Sequence, residues 1–284
     1  MKKTENIDTD VVKSFGEEWS HFKNNRPIDI GTEKIWKTYF EIFPFDVLNS
    51  NSEGFDMGCG SGRWANFVAP MVGTLNCIDP SNEALNVAKE NLSNYNNCFF
   101  ECSGVNESKL KKGSQDFGYS LGVLHHIPDT KAGLKACASF LKPGAPFLLY
   151  LYYKFDDKPW WFKVIWKISE IIRYSVSRLP FAMKKVICNL IAFLVYLPLA
   201  RISKLIERFS FDVKNIPLSA YRNQSFYVML NDSLDRFGTK LEQRFSKEEI
   251  LEMMQDAGFT DITFAKPDPG WICVGYYNPK CKNF

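Results

Sequence analysis

The residues best suited to chemistry are an acid, three glycines and a second acid: Asp56, then Gly58, Gly60 and Gly62, then Asp79. Glycines at alternate positions let a backbone approach a ligand closely and take dihedrals that other residues resist. A carboxylate seventeen residues beyond Gly62, at the end of the following strand, can accept hydrogen bonds from two neighbouring ribose hydroxyls. A third feature is the pair His125-His126, which holds two of the three histidines in the chain. Either imidazole is a candidate general base, and the pair could equally serve only to order the loop before Pro128.

Two ligand classes suit the glycine turn, and a turn with no ligand is the third reading. A dinucleotide site calls for Gly-x-Gly-x-x-Gly with a helix N-terminus facing a pyrophosphate. Here the third glycine of that pattern would be residue 63, which is Arg, and Asp56 stands just before the turn. An acid repels a pyrophosphate and attracts a cation. S-adenosylmethionine has no phosphate and carries an ammonium and a sulfonium, so Asp56 tips the choice toward it and away from a nicotinamide oxidoreductase.

The elements around these residues alternate. Strands are expected at 53–57, 75–79, 98–102, 116–121 and 145–152, with helices at 62–71, 83–89 and 130–140 between them. Two amphipathic helices, 8–24 and 32–43, precede them. After 154 the alternation stops, and it resumes at Ser246, which forms a capping box with Glu249 and leads a helix ended by Gly258. Strands near 260–265 and 271–277 would close the sheet as a hairpin around residues 267–270. The expected architecture is α/β: a Rossmann-like, seven-stranded, mostly parallel sheet with helices on both faces, and a largely helical insertion after the fifth strand. The expected division is a helical cap at 1–45, a core at 46–153 and 245–284, and a lid or substrate-selecting insertion at 154–244.

With these elements in place, Asp56-Met57-Gly58-Cys59-Gly60-Ser61-Gly62 resembles the first motif of the class I S-adenosylmethionine-dependent methyltransferases, in their small-molecule, ubiquinone-biosynthesis-like branch. Ile78-Asp79-Pro80-Ser81 is similar to the second motif, residues 117–129 to the fourth-strand motif, and Leu141-Lys142-Pro143-Gly144-Ala145 to the turn before the fifth strand. The resemblance covers about 54–152 and 246–277. It implies S-adenosylmethionine as cofactor and S-adenosylhomocysteine as product. It places the methionine part near Asp56, Gly58, Cys59 and Gly60, the ribose at Asp79 beside Pro80, and the sulfonium near Leu121. Many relatives carry an acid after the third strand; Ser103-Gly104-Val105 stands there, so the adenine edge must rely on backbone contacts. Some quinone-precursor relatives bind a metal through a Glu-His pair near the histidines. This chain has Gly122 and His-His instead, so no metal is expected.

Composition narrows the setting. The 284 residues carry a net charge of only +3, so no basic field argues for nucleic acid. Nor is there an Asn-Pro-Pro-Tyr motif after the fourth strand or a catalytic Pro-Cys pair. The eight cysteines form no Cys-x-x-Cys pair, and no apolar leader opens the chain; reduced thiols in the cytoplasm are expected. Residues 154–208 hold eleven Lys or Arg against four acids, a net +7 within a chain of +3. That segment also carries Trp160-Trp161-Phe162 and the apolar run 186–197, which Asn189 and Pro198 interrupt and which is short for a membrane span. It reads either as a helical lid packed on the core or on a second subunit, or as a peripheral membrane contact through 160–208. Tyr221, Arg222 and Asn223 could grip a polar or anionic substrate group or merely pack in a salt-bridged surface, and Trp19 could close the site from the other side. The expected function is methyl transfer to oxygen of a small molecule or of a glycan or lipid intermediate. The alternative is a catalytically silent cofactor-binding protein that docks on a membrane or another enzyme.

Overall fold

Aromatic and β-branched runs become strands and the Ala- and Lys-rich stretches between them become helices. The protein is represented by a computed structural model that describes residues 6–21, 30–156, 158–265 and 270–281; the side chains of 17–21, 30, 31 and 281 fall outside that description. Seven strands form one sheet: β1 Glu53–Met57, β2 Thr74–Asp79, β3 Cys98–Cys102, β4 Phe117–Leu121, β5 Pro146–Tyr152, β6 Phe259–Ala265 and β7 Gly270–Tyr277. Their order is β3-β2-β1-β4-β5-β7-β6, with β7 antiparallel to both neighbours and the other pairs parallel. The chain runs outward from β1 to the edge at β3, then returns to the middle as β4. That reversal opens a crevice at the C-terminal ends of β1 and β4.

Both faces of the sheet are covered, so the central strands are apolar on both sides. On β5, Phe147, Leu149 and Leu151 join one core with Leu134 of α5 (Thr130–Phe140) and Ile250 of α10 (Lys247–Asp256). Leu148 and Tyr150 join the other with Phe40, Leu75 and Tyr119. β1 and β4 interlock: Gly54 faces Phe117 and Phe55 faces Gly118, and a Cβ on either glycine would strike the opposing ring.

The expected helices appear with changed ends. α1 is Thr9–His21 and α2 is Ile30–Tyr39; residues 22–24 of the expected 8–24 helix lie outside the described residues. The helix expected at 62–71 shrinks to α3, Ala65–Val68, and a 3-10 turn over Ala69–Met71. Gly62 sits at φ 75°, which no α-helix allows, and Pro70 supplies no N–H. α4 covers Asn82–Asn91, with Ser81 accepting from the Ala84 N–H, and the Ser246–Glu249 capping box forms as expected. The turn expected around 267–270 lies largely outside the described residues; Gly270 opens β7.

The chain divides into two units: Met1–Lys154 with Gln243–Phe284, and Phe155–Glu242. The second unit is helical: α6 Trp160–Val176, α7 Phe181–Ile191, α8 Leu197–Arg208 and α9 Phe226–Gly238. Pro198 does not interrupt the apolar run as its position suggested. A five-residue π-helical segment, Ala192–Tyr196, joins α7 to α8 in one 28-residue helix, Phe181–Arg208. The wider turn just ahead of Pro198 accommodates the hydrogen bond that proline cannot donate.

Candidate cofactor and active site

The glycine turn emerges from β1 with Gly58, Gly60 and Gly62 all left-handed, at φ 80°, 53° and 75°. A Cβ at Gly58 would strike Val123, so the first glycine is also a close approach. The N–H groups of the turn are already engaged. Gly58 and Cys59 donate to the Ile78 carbonyl at 2.7 and 3.0 Å, and Gly62 donates to Cys59 at 2.9 Å. Gly60 donates to Asp79 Oδ2 at 2.9 Å. A phosphate site needs such groups free at the start of a helix; here they are satisfied and the following helix is four residues long.

The two acids lie on the same side of this turn. Asp56 is 1% exposed and its Oδ2 has no hydrogen-bond partner among the described residues. Burial, reinforced by the nearby Asp79, pushes its carboxyl well above the usual carboxylate range. Burial also raises Asp79, to about 6, against the N–H groups of Ser81 and Gly60, which hold its two oxygens at 2.9 Å each. A buried acid with one oxygen unpartnered, beside a second enclosed acid, suits a cationic ligand and opposes a pyrophosphate. The residues present therefore fit S-adenosylmethionine.

The remaining residues ring the crevice. The Ser103 N–H donates to the Asp79 carbonyl at 3.2 Å, which draws the loop after β3 against the end of β2. Val105 turns its side chain into the core, so only its backbone faces outward for an adenine. Leu121 ends β4 in register with Tyr150. His125 and His126 form the 3-10 turn that follows. His125 is wholly buried and stacks on Tyr152 with centroids 3.9 Å apart; neither of its ring nitrogens has a hydrogen-bond partner among the described residues. Burial, with His126 and Arg244 nearby, holds it well below the usual imidazole range, hence neutral. His126 meets the edge of Phe15 from α1 at 5.1 Å.

The first described residues close over this end of the sheet. Asn6 donates to Asn106 Oδ1 and to the Asp129 carbonyl, and accepts from the Asp129 N–H, all at 2.8 Å. Ile7 covers Gly104, and Gly16 of α1 lies against Ser81. The side chain of Trp19 falls outside the described residues. Two residues that sequence patterning did not single out hold the histidine turn. Gln243 donates its backbone N–H to His125 at 2.9 Å and its side-chain amide to Ile127 at 2.7 Å. Arg244 lies over Tyr152 and donates to Tyr153. No local signal marks them, since the Gln243–Ile127 bond joins residues 116 apart in sequence.

Tyr221, Arg222 and Asn223 belong to the second unit. There Arg222 donates to both oxygens of Glu207 at 2.8 Å and to the Ser219 carbonyl at 2.9 Å. Tyr221 packs on Tyr196. No cluster of His, Cys, Asp and Glu among the described residues could hold a metal.

Comparison with known proteins agrees with this geometry. Residues 55–144 match the Methyltransferase domain family. Over those residues the chain carries a methyltransferase domain. The ubiquinone biosynthesis O-methyltransferase of Vibrio vulnificus is 25% identical over 154 residues, 51% of this chain and 63% of that protein. That of Xanthomonas campestris is 31% identical over 96 residues, 33% of this chain and 40% of that protein. The chain thus spans less than two thirds of the length of these curated relatives. In fold it is similar to the magnesium protoporphyrin IX methyltransferase of Synechocystis with bound S-adenosylhomocysteine, at TM-score 0.55 and 14% identity over 95% of this chain and 99% of that one. It is also similar to a possible histamine N-methyltransferase of Thermotoga maritima, at TM-score 0.51 and 13% identity over 93% and 100%.

Proposed function

We propose that this protein methylates an oxygen atom of a small molecule or of a glycan or lipid intermediate, using S-adenosylmethionine and releasing S-adenosylhomocysteine. The observation that carries the reading is the pair of enclosed acids, Asp56 and Asp79, at a glycine turn whose Gly58, Cys59, Gly60 and Gly62 N–H groups are already satisfied. When bound, the cofactor supplies an electrophilic methyl with its leaving group attached. The chain's task is to hold it and to aim a nucleophile. Asp79 accepts from the ribose hydroxyls, Asp56 compensates the ammonium, and the backbone of Ser103–Val105 meets the adenine edge. Leu121 walls the sulfur end and excludes water.

An oxygen acceptor must lose a proton. Of the two histidines, His126 is the better base. Neither ring nitrogen of the wholly buried His125 has a partner among the described residues, and its stack on Tyr152 fixes the turn that carries His126, which is 4% exposed and reaches the edge of Phe15. That the relatives of Vibrio vulnificus and Xanthomonas campestris are O-methyltransferases supports oxygen as the acceptor atom. The seven described cysteines are free thiols, which supports a cytoplasmic setting.

Calorimetry with S-adenosylhomocysteine and transfer of tritiated methyl to candidate phenols, sugars and lipids test the reading. His126→Asn is expected to lower kcat about 100-fold with cofactor affinity unchanged. Failure to bind S-adenosylhomocysteine sinks the proposal; an undiminished kcat in His126→Asn removes the base.

A further inference from the structure

The two longest helices of the second unit keep ionic and hydrogen-bonded groups inside and turn a row of large apolar residues outward. On α6 the outward residues are Trp161, Val164, Ile165, Ile168, Ile171 and Ile172, with Ile171 69% exposed. The inner side holds Ser169, Glu170 and Arg173 beside Phe162, Trp166 and Val176. Glu170 pairs with Arg173 and Arg236, and Arg236 reaches on to Glu242 at 3.0 Å. The helix Phe181–Arg208 repeats the pattern. It turns inward Lys184, Cys188, Ala192, Tyr196, Ala200 and Ser203, at steps of one helical turn, and turns outward Val186, Leu190, Phe193, Leu194, Ile202 and Leu205. Lys184 donates to the Gly238 carbonyl at 3.1 Å, and the Tyr196 hydroxyl donates to Asp232 at 3.0 Å. A water-facing helix shows the opposite sorting, and a continuous apolar surface of this kind marks a contact with something other than water.

We infer that the second unit lies on an anionic phospholipid bilayer, with α6 and the Phe181–Arg208 helix inserted along its interfacial layer. Charge selects the occupant. Exposed Lys167, Arg201, Lys204 and Arg208 border the apolar face, whereas Glu170 points inward and Glu207 is paired with Arg222. A cationic rim around an apolar face matches anionic headgroups above acyl chains. A second copy of the chain fits worse, since a two-fold contact would set this cationic rim against itself. Length selects the pose. Phe181–Arg208 is long and apolar enough to cross a bilayer by length and composition. Yet Lys185 and Arg201 bracket only residues 186–200, about 22 Å of helix, against a hydrocarbon core of about 30 Å. α6 has Lys163 and Lys167 within its length. Both helices therefore lie along the surface, with Trp160, 76% exposed, at headgroup depth. This inference stands apart from the methyl-transfer reading.

Flotation of the full chain with mixed phosphatidylglycerol–phosphatidylcholine vesicles tests it. The protein is expected to float with these, to remain behind with pure phosphatidylcholine, and to be released by salt together with alkaline carbonate. Ile168→Asp with Leu194→Asp should cut partitioning at least about tenfold while far-ultraviolet circular dichroism is unchanged. As a check that needs no disruptive variant, lipids brominated on the acyl chains should quench tryptophan fluorescence in the wild type, and Trp160→Phe with Trp161→Phe should remove most of that quenching. No flotation, no quenching, retention after carbonate extraction as a spanning protein would be, or a dimer that Ile171→Asp returns to monomer would each overturn the inference.

Discussion

Both units bury apolar residues, but only the second also turns rows of large apolar residues outward and holds an ionic network inside. In the first, Leu134, Phe147 and Ile250 are buried around the sheet and the lysines face outward. In the second, Glu170, Arg173, Arg236 and Glu242 occupy the interior while isoleucines and leucines face outward. Amphipathic periodicity is equally clear in both. Periodicity fixes that a helix has two faces; which face turns in depends on what lies on the outer side.

The largest expected effect tests that interior of ions. Arg236 is the hub between two carboxylates, and the Glu242 side chain is only 1% exposed. Arg236→Met leaves both acids without their shared cation, and breaking a buried pair on one side costs about 3–5 kcal/mol. The second unit should melt at lower temperature, read by circular dichroism. Adding Glu170→Gln and Glu242→Gln should restore most of the loss; a single variant as stable as the wild type would show that the network is idle.

A matched pair of truncations sharpens the contrast. Leu134→Ala, in the core of the first unit, should cost about 3 kcal/mol in denaturant titration. Ile171→Ala, at the apolar outer face of α6, should change stability in water by less than about 0.5 kcal/mol. An equal cost at both sites would mean that the outer face is packed after all.

Much of the first unit was legible in sequence because its signals are local. All seven strands and the caps at Ser81 and Ser246 follow from patterns a few residues long. The glycine turn and Asp79 were legible for the same reason. Strand order was not, because β7 reaches β5 across more than a hundred residues. The hold of Gln243 and Arg244 on the histidine turn was hidden likewise. In the second unit the run 186–197 reads as apolar on all sides, as a buried hairpin would. Lys184, Tyr196 and Ser203 lie on one stripe only when the helix continues unbroken through the π-helical segment, and nothing before Pro198 announces that continuation.

A third prediction concerns the acids of the glycine turn. Asp79→Asn removes a charged acceptor and should weaken S-adenosylhomocysteine binding by about 2 kcal/mol, roughly 30-fold in Kd. The ribose hydroxyls donate to the ionised carboxylate, whose pKa is about 6. Protons therefore compete with the ligand, and Kd should rise as pH falls through 6 and level off above it. The sign for stability is opposite: a carboxyl raised on folding favours the folded state most at low pH, and that contribution fades as pH climbs through 6. Asp79→Asn should flatten both profiles near that pH.

The smallest expected effect concerns the segment that closes the crevice from the N-terminal side. Asn6 makes three hydrogen bonds of 2.8 Å to Asn106 and Asp129, which anchors Ile7 over Gly104. These bonds are exposed, so each is worth little alone. Asn6→Ala should cost about 1 kcal/mol of local closure, and because the segment covers the loop assigned to adenine, S-adenosylhomocysteine should leave about five times faster with its association rate nearly unchanged. Limited proteolysis should cut the variant ahead of α1 sooner, and added ligand should protect the wild type more than the variant. Equal dissociation rates would mean that the segment packs beside the crevice without closing it.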